Sequence, residues 1–135
     1  MKKFFALLLL VCMLAMTVVT ASAETKSYSF SLTPTSSASN YRYGYAGTKA
    51  DDENRYYVTQ TTNSFGSRTI YYRAVYTDGS GLSEVSNIIT MTSNTSKNAS
   101  YIKSVAAGDK YALAAIVKAN GIDDVNRSVS GRWTP

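Results

Sequence analysis

The segment from Thr69 to Thr92 constrains this chain most: Thr-Ile-Tyr-Tyr-Arg-Ala-Val-Tyr, then Thr-Asp-Gly-Ser-Gly-Leu-Ser, then Glu-Val-Ser-Asn-Ile-Ile-Thr-Met-Thr. Two runs rich in β-branched and aromatic residues flank a loop with two glycines, which reads as a strand, a reversal and an antiparallel partner. Strand side chains alternate with period two, so Ile70, Tyr72, Ala74 and Tyr76 share one face while Tyr71, Arg73, Val75 and Thr77 take the other. On the second run Val85, Ile89 and Met91 alternate with Glu84, Ser86 and Thr90. One face of this pair is mostly apolar and needs a covering layer.

The rest of the chain repeats the pattern in shorter pieces. Ser27 to Leu32 alternates strictly, with Tyr28, Phe30 and Leu32 on one side. Thr33 to Asn40, with Pro34, is a loop. Tyr41, Tyr43 and Tyr45 then alternate with Arg42 and Gly44 in a second short strand, where the glycine marks a bulge or a close backbone approach. Gly47 to Asn54 reads as a polar connection, Arg55 to Thr62 as a strand, and Asn63 to Ser67 as a turn. Ser93 to Ser100 reads as an exposed polar loop. Tyr101 to Ala107 alternates as a strand, although its small residues also suit a helical turn. Gly108-Asp109 is a turn. Tyr111 to Ala119 carries alanines opposite its apolar face and so reads as a strand buried on both sides. Asn120-Gly121 begins another reversal, and Arg127 to Trp133 closes the chain. About eight short strands with regular turn signals predict an all-β fold, an antiparallel β-sandwich of seven or eight strands.

The first 23 residues have a different character. Lys2 and Lys3 precede an almost wholly apolar run from Phe4 to Val19, and Ala21-Ser22-Ala23 supplies the small residues of a cleavage site, with Ala21 and Ala23 at the recognition positions. This reads as a signal peptide, 1–23, followed by a single secreted domain, 24–135, with no stable membrane span after cleavage; an uncleaved anchor is the competing reading. Cys12, the only cysteine, lies inside the apolar run, so the exported part has no disulfide and depends on core burial. Without Lys2 and Lys3 the formal charge falls from +5 to +3, spread along the chain rather than clustered. That pattern argues against nucleic acid as a partner and allows weak attraction to an anionic cell surface at most.

Chemistry is scarce. The chain has no histidine, which removes the commonest general base and metal ligand together, and no spacing pairs a serine with an activating partner. The expectation is a non-enzyme with no cofactor and no catalytic or metal residue. Asp51-Asp52-Glu53 and Asp123-Asp124 are the acidic clusters; they read as solvated loops, or as calcium ligands if the fold joins them. Eleven tyrosines are the most unusual feature. They fill the core and its rim, or present an exposed row toward sugars, peptides or lipid headgroups. Tyr41, Tyr43 and Tyr45 are the candidate binding surface, because their strand is short, contains glycine and is flanked by long polar loops.

Two resemblances follow from these residues. Ile70 to Asn87 resembles the last two strands of a fibronectin type III domain over that hairpin alone, which implies shared hairpin chemistry rather than membership. Over most of the exported part the chain is similar to small secreted proteins of Gram-positive bacteria from domain-of-unknown-function families, bacteriocin-like in style, with the sandwich-type lactococcins among them. The residues concerned are Tyr28 to Phe30, Asn40 to Tyr43, Tyr111 to Asn120 and Val129 to Trp133. The resemblance implies export and a β-sandwich and carries no catalytic residue. The expectation is a secreted, non-enzymatic β-sandwich whose role the residues leave open. A lactococcin-like bacteriocin acting on neighbouring bacteria, and an extracellular binding or adhesion module with a tyrosine-rich surface, are the alternatives.

Overall fold

A computed structural model describes residues 23–77, 82–119 and 125–135, and every regular element in them is a strand. In chain order these are β1 (Lys26–Leu32), β2 (Arg42–Thr48), β3 (Arg55–Asn63), β4 (Ile70–Thr77), β5 (Leu82–Glu84), β6 (Ile89–Met91), β7 (Ser96–Ser100), β8 (Lys110–Val117) and β9 (Arg127–Thr134). They form two antiparallel sheets, β1-β9-β3-β7 and β2-β8-β4-β5, with β6 also paired to β4. The sheets face each other as a β-sandwich. Residues 1–22 of the predicted signal segment, Ala21 among them, the tip of the β4–β5 hairpin, the Asn120-Gly121 reversal and Asp123-Asp124 lie outside the described residues, while Ala23 is described and exposed.

Alternation explains the interior. Tyr28, Phe30 and Leu32 on β1 are buried while Ser27, Ser29 and Ser31 face water, and Tyr56 and Val58 do the same on β3. Ile70, Tyr72 and Ala74 meet them from the other sheet, together with Leu113 and Val117. Phe30, Ile70, Leu113 and Trp133 converge on one cluster, as two facing layers require. Each such aliphatic or aromatic side chain contributes about 1.5–3 kcal/mol by leaving water. One polar thread crosses this interior: the Tyr28 hydroxyl donates to that of Tyr72 (3.2 Å), which donates to Gln60 Oε1 (2.7 Å), while Gln60 Nε2 donates to the Ser93 carbonyl (3.2 Å). Strands β9 and β3 approach so closely at Gly131 that a Cβ there would stand 1.9 Å from the Thr59 carbonyl oxygen.

Three sequence expectations change. The run from Glu84 to Thr92 splits into β5 and β6, because the β4 register shifts between Val75↔Glu84 and Tyr72↔Ile89. The gap is filled by Ser86, whose Oγ accepts the Ala74 N–H at 2.8 Å. The polar Ser93 to Ser100 segment is not all loop, since Ser96–Ser100 pairs along β3 as an edge strand. An edge strand needs only backbone groups, and polar side chains there guard against further pairing. Conversely, Tyr101 to Ala107 is neither strand nor helix beyond a single bridge from Tyr101 to Ser86. Its Ala106 N–H is taken by Asp109 Oδ2 (2.9 Å), which closes a local turn instead of a ladder. The described strands therefore number nine, against about seven or eight expected, and the all-β sandwich stands.

Candidate functional site at the tyrosine end of the second sheet

Strand β2 forms one edge of its sheet and positions two of the three candidate tyrosines together. Tyr43 pairs with Ala114 of β8 and therefore shares its outward face; it is 60% exposed. Tyr41, just before the strand, is half-buried and packs against Val75, Ala112 and Ala114 on that same face. Tyr45 goes elsewhere. The β2–β8 register slips between Gly44 and Gly47, and Tyr45 sits in the left-handed region at φ 56°. Its ring turns edge-on to Phe30, 5.0 Å away, and its hydroxyl donates to the Ser29 carbonyl. Its own carbonyl accepts Trp133 Nε1–H at 2.8 Å. Tyr45 thus fastens the edge of β2 to β1 and β9, and these contacts hold a backbone conformation that costs about 1–3 kcal/mol. The bulge follows Gly44, which has open space around it, while the close approach belongs to Gly47, where a Cβ would meet Pro135 Cγ at 2.8 Å.

The β1–β2 loop is held against the end of β8: Thr35 donates to the Val117 carbonyl and accepts the Ala119 N–H. Between loop and sheet lies an open cleft of about 340 Å³ lined by Thr33, Thr35, Asn40, Tyr41, Arg42 and Ile116. Across β8 a second open cleft of about 300 Å³ is lined by Arg68, Tyr71 and Lys118, with the Lys118 ammonium 4.9 Å from the Tyr71 ring centre. Tyr71 pairs with Ile116, so one lining residue of each cleft stands beside the other on the outward face of the same sheet end. Beneath Tyr41 lies Arg73, its guanidinium carbon 4.4 Å from the ring centre. This residue went unnoticed in the sequence; the available signal was a lone charge inside an otherwise apolar and aromatic strand.

A second unforeseen cation lies at the opposite end. Lys49, inside the stretch read as a polar connection, is 2% exposed. Its ammonium pairs with Asp51 (3.2 Å), donates to the Arg55 and Pro135 carbonyls (3.2 and 3.3 Å) and faces the Tyr101 ring at 5.4 Å. Nothing in the local sequence marks it, because a lysine between Thr48 and Ala50 looks solvated. The Glu53 backbone N–H, and after it the Lys49 side chain, hold the Asp51 carboxyl below its ordinary pKa. Asp52 Oδ1 accepts the Ala107 N–H (2.8 Å) and Glu53 Oε1 accepts the Tyr57 hydroxyl (2.6 Å). The acidic triplet is exposed, as a solvated loop would be, yet all three carboxylates also have internal partners. Among the described residues no group of three or more carboxylates or other metal-ligating side chains is arranged to hold a metal ion.

Five core tyrosines have hydroxyl pKa values above the ordinary 10.0, chiefly because burial disfavours the anion: Tyr28, pushed up to about 12, and Tyr56, Tyr72, Tyr101 and Tyr111. These fill the interior, while Tyr41, Tyr43 and Tyr71 face outward at one end. Buried and outward-facing tyrosines therefore coexist, on different residues. No protein-family model matches this chain, and no curated protein does.

Proposed function

We propose that this protein is a secreted, non-catalytic binding module that meets a bacterial cell surface or cell-wall component through the outward tyrosines of the second sheet. The observation that carries this reading is the open cleft beside Tyr41, where Tyr41, Asn40, Arg42, Thr33 and Thr35 line one space next to the exposed Tyr43. An aromatic ring with polar neighbours recognises amphipathic ligands such as sugars and peptides, offering apolar area and hydrogen bonds at once. The absence of histidine from the chain supports a non-catalytic role.

Incubating the purified protein with intact cells of related bacterial strains tests this reading, with cell-bound protein and growth measured together. The expected result is saturable binding that weakens about tenfold or more in Tyr43→Ala, as for an aromatic anchor. No binding by the parent protein, or undiminished binding by Tyr43→Ala, overturns it. Growth inhibition at the same concentrations assigns the bacteriocin-like activity instead.

A further inference from the structure

Arg73 carries a buried guanidinium whose charge is paired with Glu84 but whose hydrogen-bonding groups the fold satisfies only in part. Its side chain is nine-tenths buried on the outward face of the second sheet. Nη1 stands against the Glu84 carboxylate as an ion pair without the alignment of a hydrogen bond, and Nε reaches no acceptor. Buried N–H groups in folded proteins normally have a partner, and an orphaned one points to a missing acceptor. The Tyr41 ring over the guanidinium shields it from water on one side and lines the neighbouring cleft. Arg42 lines that cleft, and Arg68 and Lys118 line the one across β8. Arg42, Arg73 and Lys118, with Arg68 engaged in an interaction of its own, thus stand at one sheet end beside Tyr41, Tyr43 and Tyr71, where Glu84 is the acid paired with Arg73. The clefts are open and share one sheet end, an arrangement that suits a polymer lying across strands better than a small molecule enclosed in a pocket.

We infer, resting on the binding-module reading, that this face takes an acidic polysaccharide, its sugar rings against Tyr41 and Tyr43 and its carboxylates held by Arg42 and Arg73. The charge complementarity is specific in form. A guanidinium offers a planar fork that matches a carboxylate through two parallel N–H bonds, which an ammonium cannot do. Aromatic rings supply the apolar area that sugar faces need and keep the nearby charges partly desolvated, which strengthens them.

The test is affinity electrophoresis of the purified protein in gels containing polygalacturonate, its full methyl ester, or dextran. Polygalacturonate alone should retard migration, and less so as salt rises. Arg42→Gln and Tyr43→Ala should each lower the apparent affinity about tenfold or more, the size of one lost charge-assisted hydrogen bond. Arg73→Lys, which keeps the charge and loses the fork, should do the same, its folding checked by circular dichroism. Arg132→Gln removes one charge from the opposite sheet and should change affinity less than about twofold, the range of an exposed charge. Equal retardation by the methyl ester overturns the role of carboxylates while leaving sugar binding standing. A loss in Arg132→Gln as large as in Arg42→Gln overturns the assignment to this face, and no retardation by polygalacturonate overturns the inference outright. The broader reading is judged separately, by binding to intact cells and its loss in Tyr43→Ala.

Discussion

The two sheets of this sandwich have similar inner faces and opposite outer ones. On the first sheet, Ser27, Ser29 and Ser31 of β1 stand beside Arg132, Ser130 and Ser128 of β9, and Thr59 and Thr62 of β3 continue the first two rows. Hydroxyls there bond laterally, Thr59 to Ser96 at 2.7 Å and Ser64 to Ser128 at 3.3 Å. On the second sheet the central strand β8 is buried from Tyr111 to Val117, with alanines at 112 and 114 roofed by Tyr41 and Val75. The difference teaches where volume matters. The first sheet is organised by one apolar face and can present anything polar to water. The second carries a partial third layer, so its outer positions are set by packing and leave Arg73 covered.

The comparison breaks most sharply where the first sheet has no room at all. Gly131→Ala places a Cβ against the Thr59 carbonyl oxygen, and we expect a loss of about 4 kcal/mol or more, or no folded protein, in a denaturant melt. Alkaline titration asks whether the shared interior behaves as one unit. A tyrosine whose pKa is raised on folding binds its proton more tightly in the folded state, so its contribution is whole below pH 10 and falls above it. For Tyr28 the window runs from 10.0 to about 12. The tyrosinate absorbance that the five buried tyrosines add beyond that of the exposed ones should therefore appear together with loss of the far-ultraviolet signal as both sheets unfold; ionisation of all the tyrosines while the sheet signal stays intact would refute a common core.

Smaller effects separate the outer faces. Ala114→Leu overfills the space under Tyr41 and should destabilise by about 1–3 kcal/mol. Ser29→Ala, on the water-facing rows of the first sheet, should change stability by less than about 0.5 kcal/mol. Equal melting shifts for these two variants would remove the distinction between a layered and an open face.

Much of the fold was legible because period-two alternation is a local property of an extended chain. Tyr28, Phe30 and Leu32, or Ile70, Tyr72 and Ala74, had to share a face whatever they packed on. The predicted double burial of β8 followed from alanines opposite an apolar row. The site was legible only in part. Tyr41 and Tyr43 do share an outward face, but strict alternation would have put Tyr45 with them, and a one-residue register slip redirected it. Lys49 and Arg73 were hidden because the burial of each depends on segments far away in the chain.

What the sequence by itself determined is therefore the identity of the strands' inward side chains and the turns that have glycine or proline to mark them. Only the tertiary structure decided that Ser96–Ser100 joins the edge of β3, that β4 is shared between β5 and β6, and that Tyr41 covers Arg73. The reason is physical. Side-chain alternation is built into each residue's geometry, whereas pairing is made by backbone donors and acceptors that nearly every residue carries, so distant partners leave little trace in local composition.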